Sequence, residues 1–235
     1  MTFDVFGDVQ DRGYLRNFAG EKDLELVKRI EHAAFIDNVG QALSDLSRQR
    51  SLSYDSILET HKTLFASVYP WAGQDRLDTA PNVSITRGGY DRMFAFPQDV
   101  QRATEYALRQ GNDGKFMREK PGEVMGSLAH AHPFLDGNGR TIMTVHTVLA
   151  ARAGLSIAWQ ETDKDAYLAA LAKELHLPGD GHLDAYLKPF VREAIPQKEQ
   201  AQTLTALQGL AGRAAEPIGG AEEDQTSERP SGQRI

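Results

Sequence analysis

His132 and Asp136 stand four residues apart in the stretch His-Pro-Phe-Leu-Asp-Gly-Asn-Gly-Arg-Thr at 132–141, which sets an imidazole and a carboxylate beside two glycines and a guanidinium. Transfer of a phosphoryl or nucleotidyl group asks for this combination. A base must take a proton from a hydroxyl, a hard oxygen ligand must help hold Mg²⁺, and positive charge must stabilise the phosphates as the leaving group departs.

The flanking residues say how such groups would be held. Helical spacing enters the stretch over 122–131 and leaves it over 138–153, so the loop runs into a helix N-terminus. Backbone N–H groups there lack intrahelical partners, and the helix dipole adds roughly half a positive charge. Gly137 and Gly139 remove side chains that would keep a phosphate from those N–H groups and permit positive φ. Arg140 adds a guanidinium fork that suits phosphate oxygens.

Taken singly, a His before a Pro is a surface or capping residue, and Asp-Gly-Asn-Gly is a turn. Taken together, His132, Phe134, Asp136, Gly137, Asn138, Gly139 and Arg140 match the signature H-x-F-x-[DE]-G-N-G-R, and the sequence resembles the Fic family. Other phosphate and metal motifs are missing: there is no G-x-x-x-x-G-K-[ST], no third Gly to complete G-x-G-x-x-G, no calcium-loop pattern and no H-E-x-x-H. His130 and His132, two apart, do not share a helix face, which argues against a zinc site.

Composition bounds the rest. The 235 residues suffice for one domain with a substantial core, and a net charge of −7 speaks against a basic nucleic-acid binder. The absence of Cys leaves no disulfide framework and no thiolate nucleophile, which fits a reducing cytoplasm. Residues 1–20 carry Asp4, Asp8 and Asp11 and no continuous apolar run, so they do not read as a signal peptide, and no segment reads as a membrane span.

The expected architecture is mainly α. Residues 1–21 are expected to form a lead-in, 22–195 the domain that resembles Fic, 196–212 a C-terminal helix and 213–235 a tail that is disordered by composition. Spacing predicts helices over 23–46, 54–69, 99–110, 122–131, 138–153, 164–175, 182–193 and 197–210. Glu31 and His32 read as part of the solvated face of the first helix. Trp71 and Phe65 read as core anchors and His61 as a packed histidine. Asn82 to Thr86, Gly88-Gly89 and Met93 to Phe96 predict a small hairpin that must lie against the helices to be stable.

The resemblance extends over about 14–190, through Tyr14 to Asn17 and from His61 to the Tyr-Pro-Trp-Ala-Gly-Gln-Asp-Arg run at 69–76. It implies a Fic-type helical domain whose hairpin is a flap, with Val83, Ser84, Ile85 and Thr86 docking the target by strand addition. It implies a protein nucleotidyltransferase in which His132 is the base, Asp136 holds Mg²⁺, and Gly137, Asn138, Gly139 and Arg140 hold the phosphates of ATP while AMP moves to a Ser, Thr or Tyr hydroxyl of a target protein. Phe134 would anchor the loop in the core. The family pattern continues to a second Arg, where this chain has Met143, and the [ST]-x-x-x-E-[GN] sequence of an inhibitory helix is absent from the chain. Another donor, such as UTP or a diphosphate-linked metabolite, and a catalytically silent binding module are the alternatives this raises. The resemblance further suggests a toxin checked by a small antitoxin that supplies an inhibitory helix, or an effector delivered into a host cell.

Overall fold

The computed structural model describes residues 15–83 and 94–206. Its first helix, α1 (Leu24–Arg48), starts where the Asp23 carboxylate accepts the Glu25 N–H at 2.9 Å, satisfying a donor that has no partner within the helix. Val27, Ala34, Phe35, Val39, Leu43 and Leu46 line its buried face. α2 (Tyr54–Phe65) begins at a reciprocal cap between Ser53 and Ser56. It ends four residues before the predicted limit, because Val68 and Tyr69 both donate back to the Phe65 carbonyl and turn the chain. That turn delivers Tyr69 and Trp71 into the core, and α3 (Arg76–Thr79) follows with its N-terminus capped by Asp75.

α4 (Val100–Asn112) leads into α5 (Gly114–Glu119), a short helix capped by Asp113 that periodicity does not reveal in so few residues. α6 (Pro121–Ala131) opens on Pro121, which has no N–H to leave unpaired and a φ already suited to a helix. α7 (Asn138–Arg152) is the central element: α1, α2, α4, α5 and α6 all pack on it, and Ile142, Met143, Val145, Val148 and Leu149 are buried. A helix apolar on several faces is the one expected at the middle of such a bundle.

The helix expected over 182–193 is not continuous. α9 (His182–Leu187), which follows α8 (Lys164–His176), gives way at Lys188–Phe190 to a single 3-10 turn. Pro189 cannot supply an N–H to an α-helical ladder, and its ring crowds the preceding turn. The chain then extends as β2 (Val191–Glu193) and pairs antiparallel with β1 (Leu155–Ile157), Leu155 opposite Glu193 and Ile157 opposite Val191. This two-stranded sheet is separate from the hairpin expected over 82–96. Of that hairpin, Ser84, Ile85, Thr86 and the rest of 84–93 lie outside the described residues; Val83 donates to the Ala80 carbonyl, and Phe94 and Ala95 are buried. α10 (Gln197–Thr205) packs on α1. Residues 1–14 and the tail from 207 also lie outside the described part.

A second departure concerns α1. Glu31, expected on the solvated face, is 1% exposed. It falls four residues after Val27 and three before Ala34, so it belongs to the stripe that packs inward.

Candidate active site

The loop between α6 and α7 carries the residues singled out by their chemistry. His132 terminates α6 in the left-handed region at φ 40° and is the one non-glycine residue with positive φ among those described. Such a conformation disfavours a residue with a Cβ and persists only where its surroundings impose it. Here Arg76 does so. Its Nε donates to the His132 carbonyl at 2.7 Å, its backbone N–H donates to the Pro133 carbonyl at 2.8 Å, and its guanidinium also donates to the Ala95 carbonyl at 2.5 Å. Burial lowers the Arg76 pKa to about 10, which still leaves it charged at neutral pH. The Ala95 N–H in turn reaches the His130 carbonyl at 2.8 Å, and the Phe94 ring lies 4.1 Å from the half-buried His132 ring.

The floor of the loop is aromatic. Phe134 is fully buried and its ring stacks on His61 with centroids 3.8 Å apart. His61 is a connector: the Gly73 N–H donates to its Nδ1 at 2.9 Å, so Nε2 must carry the proton and donate to the Asp136 carbonyl at 3.1 Å. Desolvation drives the His61 pKa down to about 3, so the ring stays neutral. The packed histidine, the Phe134 anchor and the Trp71 and Phe65 core anchors all stand as the residues suggested.

Asn138, expected on phosphate, spends its amide inside the loop. Its Oδ1 accepts the Phe134 N–H at 2.9 Å and its Nδ2 donates to the Phe134 carbonyl at 2.6 Å. The two glycines serve different ends. A Cβ at Gly137, which has φ 74°, would lie 2.6 Å from Phe65 Cε2, so nothing larger fits there. A Cβ at Gly139 would meet no atom of the described residues within 4 Å, and this residue is exposed in the first turn of α7. Among the described residues, space beside the helix N-terminus is therefore open on the side where N–H groups lack intrahelical partners.

Asp136 is half-buried beside that opening, and its Oδ1 accepts the Gly137 N–H at 2.7 Å. Desolvation first, and then the charge of Glu31, push its pKa up to about 7. Arg140 is 3% exposed and turned inward: its guanidinium meets Glu31 Oε2 at 2.8 Å and lies 4.8 Å from the centre of the Phe65 ring. Glu31 Oε1 accepts the Tyr69 hydroxyl at 2.8 Å. Glu31, Tyr69 and Arg76 were not singled out from sequence; the position of Glu31 inside an apolar stripe was the available signal.

Residues 51–150 match the model of the Fic/DOC family. They form a Fic/DOC domain. The protein adenylyltransferase VbhT of Bartonella schoenbuchensis is 31% identical over 156 residues, which cover 66% of this chain and 32% of that protein. The probable protein adenylyltransferase y4lH of Sinorhizobium fredii is 25% identical over 169 residues, covering 68% of this chain and 82% of that protein. This chain thus spans about a third of the length of VbhT. Among solved structures, an N-terminal Fic domain of a Bartonella quintana effector with bound ADP superposes with a TM-score of 0.62 at 20% identity, covering 79% of this chain and 94% of that one. BepC from Bartonella tribocorum, solved with AMPPNP, gives a TM-score of 0.60 at 20% identity over 77% of this chain and 93% of its own. At these identities the likeness establishes the Fic fold. Among the described residues no helix is long and apolar enough to cross a membrane.

Proposed function

We propose that this Fic domain is a protein adenylyltransferase that moves AMP from ATP to a Ser, Thr or Tyr hydroxyl of a target protein. One observation supports the reading: His132 and Asp136 lie on the loop that leads into α7, whose first turn is open at Gly139 among the described residues, and that loop is held by Arg76, His61 and Phe134. The relatives named protein adenylyltransferases support the choice of AMP.

In this reading the N–H groups of the first turn of α7 receive the phosphates of ATP, and His132 accepts the hydroxyl proton of the target. The hydroxyl oxygen forms a bond to the α-phosphorus as the bond from that phosphorus to the bridging oxygen breaks. Pyrophosphate leaves and the target carries AMP. A pentavalent-like centre gathers negative charge during this exchange, and donors fixed beforehand at the helix start meet it without reorganising.

Asp136 is the residue proposed for Mg²⁺. No cluster of three or more acidic or histidine ligands exists among the described residues, so the donor set suits an ion that arrives with phosphate oxygens and takes one carboxylate from the protein, a usual arrangement for Mg²⁺. A carboxylate pushed up to about 7 by burial and a neighbouring negative charge is one that a cation would relieve. When bound, Mg²⁺ would neutralise the diphosphate part of the nucleotide.

For target docking we retain the segment from Val83 to Thr86, of which Val83 alone belongs to the described residues. The proposed partners are a target protein and a small antitoxin. Action in the cytoplasm, or delivery into a host cell, is consistent with solved neighbours described as translocated effectors.

Calorimetric titration with ATP tests the binding half. Mg²⁺-dependent binding that Asp136→Ala abolishes supports the reading. Equal binding with and without Mg²⁺ in both proteins removes Asp136 from the role.

A further inference from the structure

Arg140 is the one residue of the phosphate-binding signature whose charge is already matched. Its guanidinium is held by Glu31 on α1, a carboxylate as buried as itself, and Glu31 is fixed in turn by the Tyr69 hydroxyl. Tyr69 stacks on Trp71 at 4.3 Å, and the Arg140 guanidinium covers the Phe65 ring whose edge fills the space beside Gly137. The ion pair therefore joins α1 to the underside of the catalytic loop. Unzipping it to free Arg140 for a ligand would leave two charges in a site shielded from water, which is strongly unfavourable.

We propose that Glu31 is a positioning residue that acts through Arg140: the pair braces the Asp136-Gly137 segment from within the core, and Arg140 serves the site as a strut under the loop. This rests on the adenylyltransferase reading for its effect on catalysis, while the brace itself is a property of the fold. Two features agree with it. Arg140 has Phe65 beneath its plane, an arrangement suited to a static cation. Its Nη1 is buried with no hydrogen-bond partner among the described residues, so the guanidinium is held chiefly through the Glu31 carboxylate. Loss of Glu31 should then loosen the loop locally.

The test compares the native chain with Glu31→Ala, the milder Glu31→Gln and the double variant Glu31→Ala/Arg140→Ala. Hydrogen–deuterium exchange without any ligand reads the brace directly. Uptake over 132–141 should rise several-fold in Glu31→Ala while α8 and α9 keep native protection, with Glu31→Gln intermediate because its amide oxygen can still accept from Tyr69. The double variant should resemble Glu31→Ala, since both substitutions break one device. With ATP and Mg²⁺, the Glu31 variants should lose about tenfold or more in maximal transfer rate with the KM for ATP within about threefold, the pattern of a displaced reacting group. Native exchange over 132–141 in a folded Glu31→Ala overturns the brace. Tighter ATP binding in Glu31→Gln also overturns it, because Arg140 would then be a phosphate ligand that Glu31 restrains. If the native chain transfers nothing, the adenylyltransferase reading fails, and the exchange comparison still decides the brace.

Discussion

The imidazole of His61 lies nearly parallel to the ring of Phe134, 14° between planes and 3.8 Å between centroids, and this contact joins α2 to the loop between α6 and α7. Each nitrogen of His61 then ties a different backbone segment, Gly73 on one side and Asp136 on the other.

Replacing His61 by Ala removes the stack and leaves the Gly73 N–H and Asp136 carbonyl without these partners. The expected cost is about 3 kcal/mol or more, combining a large-to-small change in the core with lost buried hydrogen bonds. Chemical denaturation checks it. A loss under about 1 kcal/mol would mean that the loop does not depend on His61.

His146, also fully buried, donates from Nε2 to the Pro121 carbonyl at 2.8 Å, and desolvation lowers its pKa to about 4. The unfolded chain takes up a proton here below about pH 6.5, while the folded chain resists until about pH 4, so the stability tied to a neutral His146 is present above 6.5 and drains away as pH falls toward 4. Whatever His146→Phe costs at pH 7.5, its deficit relative to the native chain should shrink by about 1.4 kcal/mol per pH unit over this window. Denaturant midpoints at pH 7.5, 6 and 5 measure the trend, and a constant deficit would contradict it.

The two signature glycines should separate stability from binding. Gly137→Ala meets both a positive φ and the Phe65 ring, so a destabilisation of about 2 kcal/mol or more is expected. Gly139→Ala sits in open space on a helix and should be neutral or stabilising by up to about 1 kcal/mol, yet weaken ATP binding by about tenfold or more through obstruction of the phosphates. Thermal melts paired with calorimetry resolve the two. Native ATP affinity in Gly139→Ala would move the phosphates elsewhere.

Met143 occupies the position of the second arginine in the family pattern, and it is 2% exposed within the core around α7. Met143→Arg would force a guanidinium into that apolar setting, with an expected cost of about 3 kcal/mol or more. A lowered melting temperature is the predicted readout. Native stability together with increased transfer from ATP would instead show that an arginine at 143 can reach the nucleotide.

Helical spacing over α1, α4, α6, α7 and α8 makes most of the helical frame legible, since this signal is local. His132 and Asp136 stand at fixed intervals from the loop glycines, and that local pattern is what offers them as the candidate base and metal ligand. Glu31 is not legible in this way: its burial depends on meeting Arg140 and Tyr69, residues 109 and 38 positions away, and a charge on a helix ordinarily faces water. Nothing local in the sequence announces that both ends of the Asn138 side-chain amide return to Phe134. Over 182–193, helical spacing continued past Pro189, whose missing N–H ended the helix, and the partner strand for β2 lies more than thirty residues earlier at Leu155–Ile157.

Intact-mass analysis of the chain incubated with Mg²⁺ and, separately, ATP, UTP, GTP or CTP, beside His132→Ala, reads AMP transfer itself, with self-modification standing in for the target and a lysate of candidate targets run in parallel. His132→Ala retains the backbone carbonyl held by Arg76 and should stay folded. A gain of one AMP on the chain or on a lysate protein is expected, from ATP alone and only with His132 in place. An equal gain with His132→Ala, or a gain only from a donor other than ATP, would contradict the adenylyltransferase reading.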